Sequence, residues 1–201
     1  SGSRKDPFKP ETENCNLAYA AIIGRFFDAD IQLVSHSGCG LVRNYADTQR
    51  PTVTDRYPFV FDESDSIRYN ASKAGFKPDI VVVYLGTNDF SLGKQPSLDS
   101  WCRGYARLIG MIAANYGRDV PVLCVSSKAD REMGAYVRAA AEGIGRSNVS
   151  WTSIEDMIHN DDSEMGASDH PKYAGQRKVA CHIIPYVSTM TGWEMPVKPI
   201  E

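Results

Sequence analysis

Residues 79–90 read DIVVVYLGTNDF, and this stretch decides the fold. From Ile80 to Leu85 every side chain is apolar or aromatic, and three consecutive valines are β-branched. A strand with one wet face would alternate. A continuous run such as this predicts a strand over 79–85 covered on both faces, the habit of parallel sheets. At Gly86 the run stops, and Thr87, Asn88 and Asp89 follow at once. Downstream, Trp101, Tyr105, Leu108, Ile109 and Ile112 recur at helical spacing and predict a helix over 98–116. A strand over 121–126 (PVLCVS), an alanine-rich helix over 132–145, a short strand over 149–152, a polar loop over 160–171 and a last helix over 173–190 complete that half. Upstream, the polar segment 1–13 reads as a loop. A helix over 14–27 follows, with Leu17, Ala20, Ala21, Gly24 and Phe27 on one face and Asn14 or Asn16 as its cap. Residues 31–35 (IQLVS) read as a strand ending in the turn Ser37-Gly38-Cys39-Gly40, and 46–78 as loops with a helix near 64–75. Alternating helices and strands predict an α/β fold: a mainly parallel sheet with helices on both faces, joined by right-handed crossovers. Residues 1–201 are expected to form a single domain.

Composition narrows the function. Of 201 residues, 42% are hydrophobic and 23% charged, which suits a packed core. The net charge of −3 and a pI near 5.8 disfavour a nucleic-acid partner, and no Lys/Arg cluster opposes that. No apolar run reaches the length of a membrane span, so no membrane partner is expected. The five cysteines are scattered without Cys-x-x-Cys spacing, which points to free thiols and not to a zinc site or a disulfide framework.

In parallel α/β sheets, function gathers in the loops beyond the carboxyl ends of the strands. Three polar turns fall there: Ser37–Gly40, Gly86–Asp89 and Ser126-Ser127. The loop holding His170 follows the last strand. Each alone has a plain explanation, since Asn and Asp cap turns by bonding their own backbone. Their convergence on one rim is what suggests chemistry.

The blocks resemble a known superfamily. LGTND is similar to the Gly-x-Asn-Asp block of the SGNH (GDSL-type) hydrolases, VSHSGCG to their glycine block, and SDHPKYAGQRKVA to the final block in which His-Pro precedes the last helix. The finer resemblance is to the acetyl-esterase branch called carbohydrate esterase family two, through AYAAI, VSHSGCGLVRNY and DHPKYAGQ, over roughly residues 14–185. It implies a three-layer sandwich with a flavodoxin-like sheet and a serine esterase acting on acetylated carbohydrate, with no metal or organic cofactor. It also suggests a periplasmic or secreted location. Ester cleavage places negative charge on the carbonyl oxygen, so fixed donors aimed there supply a large share of catalysis. The resemblance assigns that role to the Asn88 amide and to a backbone N–H of the glycine turn, Gly40 being favoured and Gly38 the alternative. His170 becomes the general base. Asp89 is expected to orient its turn, and Trp193 is the best exposed candidate for stacking on sugar. Another SGNH activity, such as a lysophospholipase or thioesterase, and a silent carbohydrate-binding module are the other readings.

Two departures stand out. Relatives often carry an acid two or three residues before the histidine. Here those positions are Ser168 and Ala167, so a dyad is expected, its imidazole N–H held by a backbone carbonyl, by Ser168 or by Asp169. The family's nucleophile sits in a Gly-Asp-Ser or Gly-Asn-Ser turn after a first, central strand, and neither tripeptide occurs in this sequence. The expectation is that an N-terminal segment of the same gene product supplies that strand and serine.

Overall fold

The computed structural model describes residues 2–7, 9–61, 66–126 and 131–201. Ser1 and Ser127, and part of the helix expected near 64–75, lie outside them. In chain order the elements are α1 (Tyr19–Phe27), α2 (Val53–Arg56), α3 (Ala71–Ala74), β1 (Val81–Tyr84), α4 (Leu98–Tyr116), β2 (Val122–Ser126), α5 (Arg131–Gly143), β3 (Val149–Ser153) and α6 (Tyr173–Thr191), with short 3₁₀ turns between some of them. They fall into two compact units. One comprises residues 1–32 and 154–201, the other 33–153.

The 33–153 unit contains the sheet. Its order is β1-β2-β3, and both pairings are parallel, with Val83 opposite Cys124 and Cys124 opposite Trp151. Parallel neighbours cannot be joined by a tight turn, and α4 and α5 provide the two crossovers. Every residue of β2 is buried, so both faces of the central strand are covered, as its unbroken apolar sequence requires. On one face, Val83, Val122 and Cys124 pack against a stripe of α4 (Trp101, Tyr105, Leu108, Ile109, Ile112) and a stripe of α5 (Met133, Val137, Ala140, Ala141). Ser97 starts α4 by accepting the Ser100 N–H at 3.2 Å.

Residues 31–35 do not form the expected strand. They are exposed, in no ladder, and Ile31, Leu33 and Val34 are 45%, 45% and 57% exposed. An extended segment becomes a strand only where a neighbour takes its hydrogen bonds, and none of the described residues does so.

In the other unit, α1 packs on α6. The Asn14 side chain caps a 3₁₀ turn, Cys15–Leu17, so α1 begins only at Tyr19, whose N–H is accepted by Gln176 of α6 at 2.9 Å. No helix among the described residues is long and apolar enough to cross a membrane.

Candidate active site

β1 delivers its carboxyl end into the turn Gly86–Asp89, and Asp89 turns inward. It is fully buried, and its carboxylate accepts the Leu41, Val42 and Arg43 N–H groups at 2.9, 2.8 and 2.9 Å. Burial pushes this carboxyl up from the ordinary aspartate range, while the three amides pull it back. Asp89 thus ties the turn after β1 to the glycine turn from within. Gly40 has to be glycine for this contact. A Cβ there would lie 1.9 Å from the Arg43 carbonyl oxygen and 2.5 Å from Asp89 Oδ2.

Asn88 is half-buried, and its Nδ2 donates to the Cys39 carbonyl at 2.8 Å. Nδ2 carries two hydrogens, so this bond fixes the carboxamide plane and leaves a second donor. The two candidate glycines differ. The Gly40 N–H donates to Asn44 Oδ1 at 3.1 Å, and Asn44 is itself buried, held by the Thr48 and Arg50 carbonyls. No hydrogen bond from the Gly38 N–H is found among the described residues. Of the two, the Gly40 N–H is engaged within its own turn. Asn44 was not among the residues singled out from the sequence, although an asparagine four residues beyond a glycine turn is a signal for such a contact.

His170, Asp169 and Trp193 belong to the unit formed by residues 1–32 and 154–201. His170 follows a tight turn in which Ser168 and Asp169 both adopt left-handed backbone angles, φ +52° and +57°. The Gly166 N–H donates to the His170 carbonyl at 2.8 Å, making a bridge between Met165 and Pro171. His170 Nδ1 lies 3.2 Å from the Ala167 carbonyl. A carbonyl only accepts, so this contact requires Nδ1–H and leaves the lone pair of the neutral ring on Nε2. Among the described contacts, the imidazole holder is the backbone carbonyl of Ala167. The Asp169 carboxylate is bonded instead by the Arg4 guanidinium, which also donates to the Asn160 carbonyl at 2.8 Å. The loop's base is Glu164. It is buried and accepts the His159 N–H at 2.7 Å and Lys178 Nζ at 2.5 Å.

Trp193 is half-buried against Phe27, with ring centroids 5.4 Å apart and its carbonyl bonded by Ser188. The two rings meet at a tilt of 57°, and the indole stays part-exposed. Burial pushes the Cys124 thiol up to about 12, so this core cysteine does not serve as a nucleophile. Among the described residues no group of three or more His, Cys, Asp or Glu side chains is arranged to hold a metal ion.

No protein-family model matches this sequence. The cellulase/esterase CelE of Acetivibrio thermocellus is 29% identical over 197 residues, which is 95% of this chain but 24% of CelE. An acetylxylan esterase/glucomannan deacetylase of Cellvibrio japonicus is 23% identical over 192 residues, 90% of this chain and 52% of that protein. A solved family two carbohydrate esterase from Clostridium thermocellum, in complex with cellohexaose, superimposes with a TM-score of 0.84 at 27% identity, over 96% of this chain and 60% of that one. The chain therefore spans about a quarter to a half of the curated relatives' length. By sequence this chain is thus similar to carbohydrate-active esterases, and by backbone to solved family two carbohydrate esterases.

Proposed function

We propose that this chain is the core of a serine esterase that removes acetyl groups from polysaccharides or oligosaccharides. The observation that carries the reading is the Asn88 carboxamide, fixed on the Cys39 carbonyl beside the glycine turn, with its second hydrogen and the Gly38 N–H left to receive a developing oxyanion. His170 is the general base: the Ala167 carbonyl holds Nδ1–H, so Nε2 can take a proton from the nucleophile and return it to the departing sugar hydroxyl. Positioned donors of this kind are worth about 10²–10³ in rate each.

The nucleophilic serine comes, in this reading, from an N-terminal segment of the same gene product that adds a strand. Two observations support it. The described sheet has β1 at its edge, although Val83 there is 5% exposed and the strand sequence is that of a covered one. Residues 31–35 hold three exposed apolar side chains and pair with no strand among the described residues. A polymeric carbohydrate substrate would favour a location outside the cytoplasm, in the periplasm or the medium.

The test is hydrolysis of acetylated xylan, acetylated glucomannan and 4-nitrophenyl acetate by the full-length gene product. Expected are activity on all three, little on long-chain esters, and a loss of about 10²–10³ in kcat for Asn88→Ala. A preference for long acyl chains, or an Asn88→Ala enzyme as fast as its parent, overturns the proposal. A second reading rests on the relative solved with cellohexaose: the same site binds a β-linked glucan oligosaccharide without turning it over. Cellohexaose binding with no hydrolysis of any ester would favour it.

A further inference from the structure

We propose that Arg43 is a positioning residue for Asn88, clamping the loop that follows it so that the carboxamide stays aimed; this rests on the esterase reading above. The Asn88 side chain has one described anchor of its own, the Cys39 carbonyl. Its direction therefore depends on the backbone of residues 88–93, and that backbone converges on one guanidinium. Arg43 Nη1 donates to the carbonyls of Asp89 (2.6 Å) and Ser91 (3.3 Å), Nη2 donates to the carbonyl of Leu92, and Nε donates to Asp47 Oδ1 (2.6 Å). Its own backbone N–H holds the Asp89 carboxylate at 2.9 Å. The side chain is only 10% exposed.

The surroundings are built around this fork. The Asn88 carbonyl accepts Ser91 Oγ at 2.6 Å, and the same Oγ accepts the Ala46 N–H at 3.0 Å, joining the two loops a second time. Gly93 lies against the clamp, where a Cβ would come within 2.3 Å of Arg43 Nη2 and of Asp47 Oδ2. Ala46 and Asp47 hold left-handed angles, φ +49° and +58°, which bring the Asp47 carboxylate back onto Nε. A lysine carries three donors on one point and cannot span carbonyls on both sides while also meeting Asp47.

The test compares Arg43→Lys with the parent in the full-length protein, alone and in an Asn88→Ala background. A small misplacement of a catalytic group costs up to about a hundredfold, so Arg43→Lys is expected to lower kcat about tenfold or more with KM within about twofold. In the Asn88→Ala background the same change should cost less than about twofold, since groups acting through one another are not additive. Equal losses in both backgrounds, or a loss confined to KM, would overturn the proposal. A readout independent of turnover is the Asn88 side-chain amide by ¹⁵N NMR. Arg43→Lys should shift that pair and speed exchange of the hydrogen bonded to Cys39. If the pair superimposes on the parent's, Arg43 does not position Asn88, whatever the protein hydrolyses. If the parent proves to be no esterase while the pair still moves, the positioning role stands and the catalytic reading falls.

Discussion

The two turns that carry the candidate chemistry are held in opposite ways. The turn after β1 is secured from inside: Asp89 is fully buried on three amides, and where a positive φ is needed the chain has Gly86, at +131°. The turn before His170 is secured from outside. Ser168, Asp169 and His170 are exposed, the left-handed angles fall on Ser168 and Asp169, and an Arg4 ion pair and the buried Glu164 hold the loop in place. An oxyanion donor gains by not moving, because its benefit is lost with every ångström of reorganisation. A base must receive and release a proton and tolerates a surface loop that keeps only its tautomer fixed.

The contrast predicts where stability resides. Asp89→Ala should be the most damaging change, because it leaves three N–H groups, one buried and two part-buried, without an acceptor, each worth about 1–3 kcal/mol where water cannot replace it. A total loss of about 3 kcal/mol or more corresponds to roughly 6–12 °C in Tm for a chain of this size. Thermal melts followed by circular dichroism measure it. A fall of only a degree or two would mean that burial of Asp89 does not tie the two loops.

The Glu164 anchor of the His170 loop should respond to acid, and less strongly. Burial opposes ionisation of Glu164, but the Lys178 ammonium and the His159 N–H outweigh it, and its carboxyl titrates below the ordinary glutamate range. Between the folded and unfolded values the unfolded chain binds more protons. Stability from this group is therefore complete above about pH 4.3 and is lost as pH falls through the folded value. Glu164→Gln should cost about 1–2 kcal/mol at pH 7, and its melting curve should converge on the parent's on acidification towards pH 3. A gap that stays constant with pH would show that the carboxylate charge is not what holds the loop.

The sequence exposed the fold where patterns are local. The strands at 81–84 and 122–126 announced themselves by valine-rich apolar runs, and α4 by its aromatic and aliphatic stripe. It misled at 31–35, because a strand is a property of a pair and the residues themselves hold half the information. It also placed the start of α1 five residues early, because an asparagine caps a 3₁₀ turn as readily as an α-helix. Asn88 and His170 could be named from their blocks. That Asp89 faces inward could not, since its partners Leu41, Val42 and Arg43 lie 46–48 residues away. The Asp169 carboxylate likewise meets an arginine 165 residues distant. Such long-range pairings leave no periodicity to read.

The smallest expected effect probes the strain itself. Ser168 sits at φ +52°, ψ +36°, a conformation that costs a side-chain-bearing residue about 1–2 kcal/mol. Glycine removes that cost but adds about 0.5–1 kcal/mol of unfolded-state entropy to be lost on folding. Ser168→Gly should therefore raise stability by about 1 kcal/mol or less, a rise of roughly 2–4 °C. The same change should weaken the contact between His170 Nδ1 and the Ala167 carbonyl, since a glycine turn also reaches right-handed and extended states that release the ring. Stability and tautomer fixation are thus expected to move in opposite directions, by melting and by ¹⁵N NMR of the imidazole. A variant that is less stable, with the Nδ1 resonance unmoved, would show that the left-handed turn carries no strain and that the ring is held by its other contacts.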